Sequence, residues 1–298
     1  MRVLVTGATG LIGSQLVAAL TARGDEVSAT SRRPERLQGP FVARHAWDPL
    51  GGPADAALFE GVDAVVHLAG EPVNGRWTAA KKRAIEVSRV EGTRRLVAGM
   101  RAGKEAPQTF VCASAIGYYG DRGDEELHEG SAPGDDFLAG VCRGWEAAAL
   151  EADPLGVRVV RLRTGLVLAR EGGALAEMLL PAKLGVSGPL GGGRQWWSWI
   201  HIQDQVRLLL WALDGEVEGA LNAVSPEPVR QRDFAAALGR ALGRPSFLPA
   251  PAFAIRAALG GFAAEILSSH RVLPARALEL GFEFEHPELE PALRNLLG

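Results

Sequence analysis

The chain has 298 residues, 47% hydrophobic and 22% charged, with a formal net charge of −3. These proportions suit an ordinary globular protein with a core of normal size, and they argue against a nucleic-acid partner or an anionic membrane surface. Two cysteines, Cys112 and Cys142, cannot build a disulfide framework, no apolar run nears the ~20 residues that span a bilayer, and no charged-then-apolar leader precedes the first strand, so a cytoplasmic setting is expected.

Residues 2–6 (RVLVT) read as a buried strand, and VTGATGLIGSQL carries Gly7, Gly10 and Gly13 into a helix predicted over 12–23. A glycine triplet between a strand and a helix is the dinucleotide-binding fingerprint. The first glycine makes the tight turn, the second lets backbone approach a pyrophosphate, and the third lets helix and strand pack closely. Free N–H groups and the positive end of the helix dipole then face the phosphates. Gly7, Thr9, Gly10, Leu11, Ile12 and Gly13 are therefore candidate cofactor contacts.

The second strand, 26–30, runs into SATSRRPERL. A NAD site wants a carboxylate about 20 residues beyond the fingerprint to bond the ribose 2′-OH. Here Ser31 is followed by Arg32 and Arg33. A guanidinium suits a 2′-phosphate that a carboxylate would repel. Ser31, Arg32 and Arg33 are assigned to that phosphate, and NADP is the expected cofactor.

Further strands are predicted at 41–46, 63–68, 109–113 and 157–162, with helices at 53–59, 78–101 and 136–152. Continuous apolar strands alternating with helices argue for a doubly wound parallel α/β sheet. After about residue 165 the rhythm breaks. Helices are predicted at 173–184, 203–214 and 231–242 and a strand at 219–224. GVSGPLGGGRQWWSWIH fills 185–201, and a proline-punctuated tail begins at 245. The expected division is a Rossmann-like NADP-binding domain over 1–165 and a smaller substrate lobe with a helical tail over 166–298, some of whose segments return to the first lobe. The six histidines are scattered without metal-ligand spacing, so no metal is expected. His67, inside an apolar strand, reads as a core histidine.

TGATGLIG (6–13), VVHLAG (65–70), SAIGYYGD (114–121) and WIHIQD (199–204) together resemble the extended short-chain dehydrogenase/reductases, which include nucleotide-sugar epimerases and dehydratases. GEPVNGRWT, DDFLAGVCRGWE and RTGLVL resemble more closely an atypical subgroup labelled epimerase family proteins, and the likeness covers essentially the whole chain. The resemblance implies NADP across the strand ends and a substrate between the lobes. It implies that Leu68, Ala69, Gly70 and Glu71 line the cofactor, that Asp48 approaches the adenine, and that Ala113, Ser114 and Thr164 lie near the nicotinamide. Arg89 stands where many relatives carry Asn, a departure from the pattern that puts there a charge suited to a phosphate or a substrate acid.

The resemblance also implies a Tyr-x-x-x-Lys pair on the helix after the fifth strand, whose phenolate exchanges a proton with the substrate. That helix reads DDFLAGVCRGWEAAAL, with Leu138 and Cys142 at the two places. Tyr118, Tyr119 and Ser114 are the candidate replacements, each equally readable as a packing or capping residue. Cys142 reads as an inert buried thiol. Arg163 and Arg194 are candidates for an anionic substrate, and Trp197, Trp199 and His201 for a substrate wall or lobe packing. The expected function is an NADP(H)-binding oxidoreductase or epimerase-like protein acting on a small polar substrate, sugar derivatives included. The competing reading is a non-catalytic NADP-binding sensor or scaffold. Helices 78–101 and 136–152 are candidate faces for a homodimer.

Overall fold

Short β-branched runs bounded by turn glycines become strands, and longer alanine- and leucine-rich stretches become helices. The computed structural model describes residues 1–298. The first half holds β1 (Arg2–Thr6), α1 (Leu11–Ala22), β2 (Glu26–Ser31), β3 (Ala43–Ala46), β4 (Ala64–His67), α2 (Ala79–Ala102), β5 (Thr109–Ala115), β6 (Glu126–Leu127), α3 (Phe137–Leu150) and β7 (Arg158–Thr164). Next come β8 (Leu166–Leu168), α4 (Gly173–Lys183), β9 (Trp196–Trp197), β10 (Trp199–His201), α5 (Ile202–Asp214), β11 (Gly219–Ala223) and β12 (Val229–Arg230). The chain ends with α6 (Gln231–Leu242), α7 (Ala252–Leu259), α8 (Phe262–Leu267), β13 (Arg271–Val272), α9 (Ala275–Glu279) and α10 (Leu289–Leu297).

Seven strands form one parallel sheet in the order β11-β7-β5-β4-β1-β2-β3. The order reverses between β1 and β4, which opens a crevice at their carboxyl ends, where open α/β sheets bind ligands. Thr6 is level with Thr30 on one side and His67 on the other, and Thr164 is level with Ala115. The strand ends therefore share one edge.

One face of the sheet packs on α1 and α5, the other on α2 and α3. A third cluster joins α4, α6 and α10 beneath Trp199. The short pairs β8–β10 and β9–β12 lie within this lobe, and β6–β13 stitches it to the first.

One expectation changes. The helix read over 53–59 is a 3₁₀ turn at Ala56–Phe59, because Gly51-Gly52-Pro53 delays its start and Leu58 and Phe59 are drawn into the core. Beyond residue 165, β11 adds to the edge of the first sheet beside β7, and α5 packs on α1.

Candidate functional site

Gly7 has φ +70, and a Cβ there would lie 2.8 Å from the carbonyl carbon of Leu68. A Cβ on Gly13 would fall 2.2 Å from the Gly7 oxygen. β1, α1 and β4 thus converge more tightly than any side chain allows. Gly10 is exposed and caps α1 with no side-chain hydrogen bond, and no acid stands in the helix's first turn. The amide end of α1 keeps its free donors and positive dipole for an outside anion. Thr9 is exposed, Leu11 and Ile12 half buried, and Leu11 packs against Gly172 and Gly173 of the second lobe.

Ser31 ends β2, and its hydroxyl accepts from the Arg33 amide at 3.0 Å. Arg32 and Arg33 are exposed and have no carboxylate partner in the protein. Asp48 is half buried and accepts the Leu50 amide at 3.0 Å, shaping a turn next to the end of β3.

After β4, the Ala69 amide donates to Thr6 Oγ1 at 3.2 Å, and Thr6 Oγ1 lies 2.6 Å from His67 Nδ1. Burial, helped by Arg89, lowers the His67 pKa to about 3 and keeps the ring neutral. Gly70 gives Arg89 room, since a Cβ there would lie 3.3 Å from its guanidinium carbon. Arg89 donates to the Glu71 carbonyl at 2.8 Å, and the Glu71 carboxylate pairs with Lys81 at 2.7 Å. Arg89 itself has no carboxylate partner, and burial lowers its pKa. A half-buried, unneutralised cation behind β4 adds to the crevice's fit for an anionic ligand.

At the end of β5 the structure redirects three expectations. The Ser114 hydroxyl donates to Glu146 at 2.8 Å, and Glu146 also accepts from Arg161 and Arg163. Ser114 is 4% exposed, so its proton serves this buried network rather than a ligand. Tyr119 is 0% exposed; its hydroxyl donates to Asn222 at 2.7 Å and accepts from Arg163 at 3.0 Å. Burial pushes its pKa up to about 12, which removes it as an accessible acid or base. Arg163, 2% exposed, is spent on Glu146, Tyr119 and the Glu129 carbonyl and cannot reach a substrate. Tyr118 is half buried, with Arg163 3.5 Å above its ring, and its hydroxyl makes no hydrogen bond within the protein. Ala113 and Thr164 are half buried at the same strand edge.

In the second lobe the aromatic segment is mostly structural. Trp199 is fully buried and donates to the Glu227 carbonyl at 3.0 Å. Trp197 is half buried and edge-on to Phe234 at 5.2 Å. His201 caps α5 by accepting the Gln203 amide at 3.1 Å, and its ring lies 3.8 Å from that of His286. Burial, then His286, lowers its pKa to about 4. Packing and capping, not ligand contact, explain these two and Trp199.

Arg194 does face a ligand-sized space. It lines an open cavity of about 680 Å³ with Arg230, Arg232 and Arg256, and the only acid there, Asp124, is paired with Arg230 at 2.7 Å. Sequence reasoning found one of these four arginines, because the others come from distant segments that only the fold assembles. It also missed Glu265 on α8, a lone acid in FAAEIL. α3 contains neither tyrosine nor lysine. Cys142 is buried, and burial raises its pKa to about 12.

The model of the NAD dependent epimerase/dehydratase family matches residues 3–223, and a domain of unknown function (DUF1731) matches residues 250–296. The epimerase family protein SDR39U1 homolog, chloroplastic, of Arabidopsis thaliana is 40% identical over 306 residues, covering 100% of this chain and 87% of its own. The crystal structure of human epimerase family protein SDR39U1 (isoform 2) with NADPH superposes with a TM-score of 0.89 at 38% identity, covering 100% of this chain and 99% of that one. A nucleoside-diphosphate sugar epimerase from Corynebacterium glutamicum gives 0.81 at 36% identity, covering 100% of this chain and 58% of that one.

Proposed function

The chain belongs to the NAD dependent epimerase/dehydratase family, and from that premise we propose that it binds NADP(H) across the ends of β1, β2 and β4 and acts as an oxidoreductase or epimerase-like enzyme on a small anionic molecule. The observation that carries this reading is the pairing of an uncapped helix start at Gly10 with two partnerless guanidiniums, Arg32 and Arg33, one strand away. That combination matches a pyrophosphate and a 2′-phosphate better than it matches NAD, whose ribose calls for an acid. The human relative solved with NADPH supports the same choice. When bound, the nicotinamide supplies or accepts hydride. The chain's own part is to hold the pyrophosphate on the α1 amides, neutralise the ribose phosphate, and bring a substrate anion to Arg194, Arg230, Arg232 and Arg256.

The test measures dissociation constants for NADPH and NADH with the wild type and Arg32→Ala. NADPH is expected to bind at least tenfold more tightly, and the substitution to remove about tenfold of that preference, or about 1.4 kcal/mol. Equal affinity of the wild type for both would defeat the assignment. A panel of carbonyl compounds and nucleotide sugars, followed at the nicotinamide absorption band, then reports turnover. The absence of both members of the Tyr-x-x-x-Lys pair from α3 favours the second reading, a non-catalytic NADP-binding sensor or scaffold. Binding without turnover across the panel would support it.

A further inference from the structure

α8 lies across the cleft as a strap. On one bank Trp77 packs against Phe262 (5.8 Å) and against Phe137 at the start of α3 (5.3 Å). On the other, the side-chain N–H groups of Gln195 and Trp197 reach the Ile266 carbonyl, each at 3.4 Å. The strap's end, Leu267, closes one wall of the arginine-lined cavity. Its one charged residue, Glu265, turns the other way.

The Glu265 side chain is half buried, yet its carboxylate makes no ion pair and no hydrogen bond within the protein. It faces the turn after β5: a Cβ added to Gly117 would lie 3.9 Å from Glu265 Oε1 and 3.4 Å from Leu138 Cβ. Gly117, lacking a side chain, thus has as neighbours both the carboxyl and the leucine that stands where the family's tyrosine would be. A carboxylate held for structure behaves differently here: Glu146 takes three donors, Ser114, Arg161 and Arg163.

We propose that Glu265 is the proton-transfer group of the site, reaching from the C-terminal lobe to the place where the phenol is missing. The proposal rests on the NADP(H) reading above. In the reducing direction a hydride, with its electron pair, bonds to the substrate carbonyl carbon while the C=O π pair moves to oxygen. The carboxylic O–H of Glu265 breaks, and its proton goes to that oxygen. The products are the alcohol, the oxidised coenzyme and a carboxylate that regains a proton from water. The oxidising direction starts from the carboxylate.

The surroundings favour the protonated form of this acid. Burial raises the Glu265 pKa above the ordinary glutamate range; His270 opposes this and Asp136, the cap of α3, adds to it. Cys142 on α3 is also coupled to it, but its thiol is neutral, and Arg89 acts on that same thiol.

The experiment measures binding of NADP⁺ and NADPH to the full chain and to Glu265→Gln at several pH values by calorimetry. The ribose phosphate is common to both nucleotides, so its titration cancels in the ratio. In the wild type the ratio should move about tenfold toward NADP⁺ as pH rises, because an ionised carboxylate near the ring favours the positively charged nicotinamide. In Glu265→Gln it should stay flat. A flat wild-type ratio, or the same drift in the variant, overturns the proposal while leaving the coenzyme reading intact. Failure of both nucleotides to bind overturns the coenzyme reading, and the proton-transfer role with it. On a carbonyl substrate from the panel, Glu265→Gln should lower kcat about 100-fold with little change in KM. Undiminished turnover by the variant also overturns the proposal.

Discussion

At the scale of single residues, the buried polar groups divide cleanly between those that hold the fold and those that stay free for ligands. Tyr119 belongs to the first kind. Tyr119→Phe leaves Asn222 Oδ1 without its donor and should cost about 1–3 kcal/mol of stability, read from urea unfolding, with NADPH affinity unchanged. His67 belongs there too: its Nε2 has no partner, and its folded pKa is about 3 against an ordinary 6.5. The unfolded chain can bind a proton that the folded ring refuses. The contribution to stability is therefore complete above pH 6.5 and lost as pH falls toward about 3, at up to about 1.4 kcal/mol per pH unit. His67→Phe should flatten that acid-side slope in urea midpoints taken across the window. Tyr119, Ser114, Arg163, Trp199 and His201 misled the sequence reading for a shared reason. Polar and aromatic residues at strand ends look alike in sequence whether their partners are ligands or other side chains, and the partners here, Glu146, Asn222, Glu227 and His286, come from remote segments.

At the scale of elements, the strand–loop–helix unit at the start was the most legible part of the chain, because its constraints are local. Gly7 needs a left-handed φ, and Gly13 has no room for a methyl group. Gly13→Ala should destabilise by about 3 kcal/mol or more, or prevent folding, because the added carbon meets backbone that cannot move. Gly140 gives the matched contrast. It sits inside α3 with nothing within 4 Å of a Cβ position, and Gly140→Ala should stabilise by about 0.5–1 kcal/mol. Melting curves of the two variants test both statements. α2, α3, α5 and α6 lie within two residues of their expected bounds, since long amphipathic periods survive any tertiary context. The strap formed by α8 was illegible: six residues carry too short a period, and what fixes them is Trp77 and Trp197, far away in sequence.

At the scale of the whole molecule, the two lobes are interleaved rather than joined end to end. Eleven of the 26 residues in the largest core cluster lie beyond residue 165, from Ile200 to Phe282. A chain ended at Gly165 would leave β7 as a bare edge and that core half open. It should fail to give a cooperative unfolding transition, whereas the full chain should unfold in one step. Calorimetry on the two proteins decides between this and a separable first domain. The alternation of strands and helices made the sheet predictable, and a return of later segments was expected, but that α5 and β11 are the ones could not be read, because their patterns do not say which layer they join.

The late arrival of β11 has a consequence during synthesis. On the ribosome, the flank of the nascent sheet stays unfinished until residue 223 has cleared the exit tunnel, so Leu162 and its neighbours on β7 emerge long before Leu221 can cover them. Translation that stalls in that interval would release a sticky intermediate, the state that a chaperone would recognise.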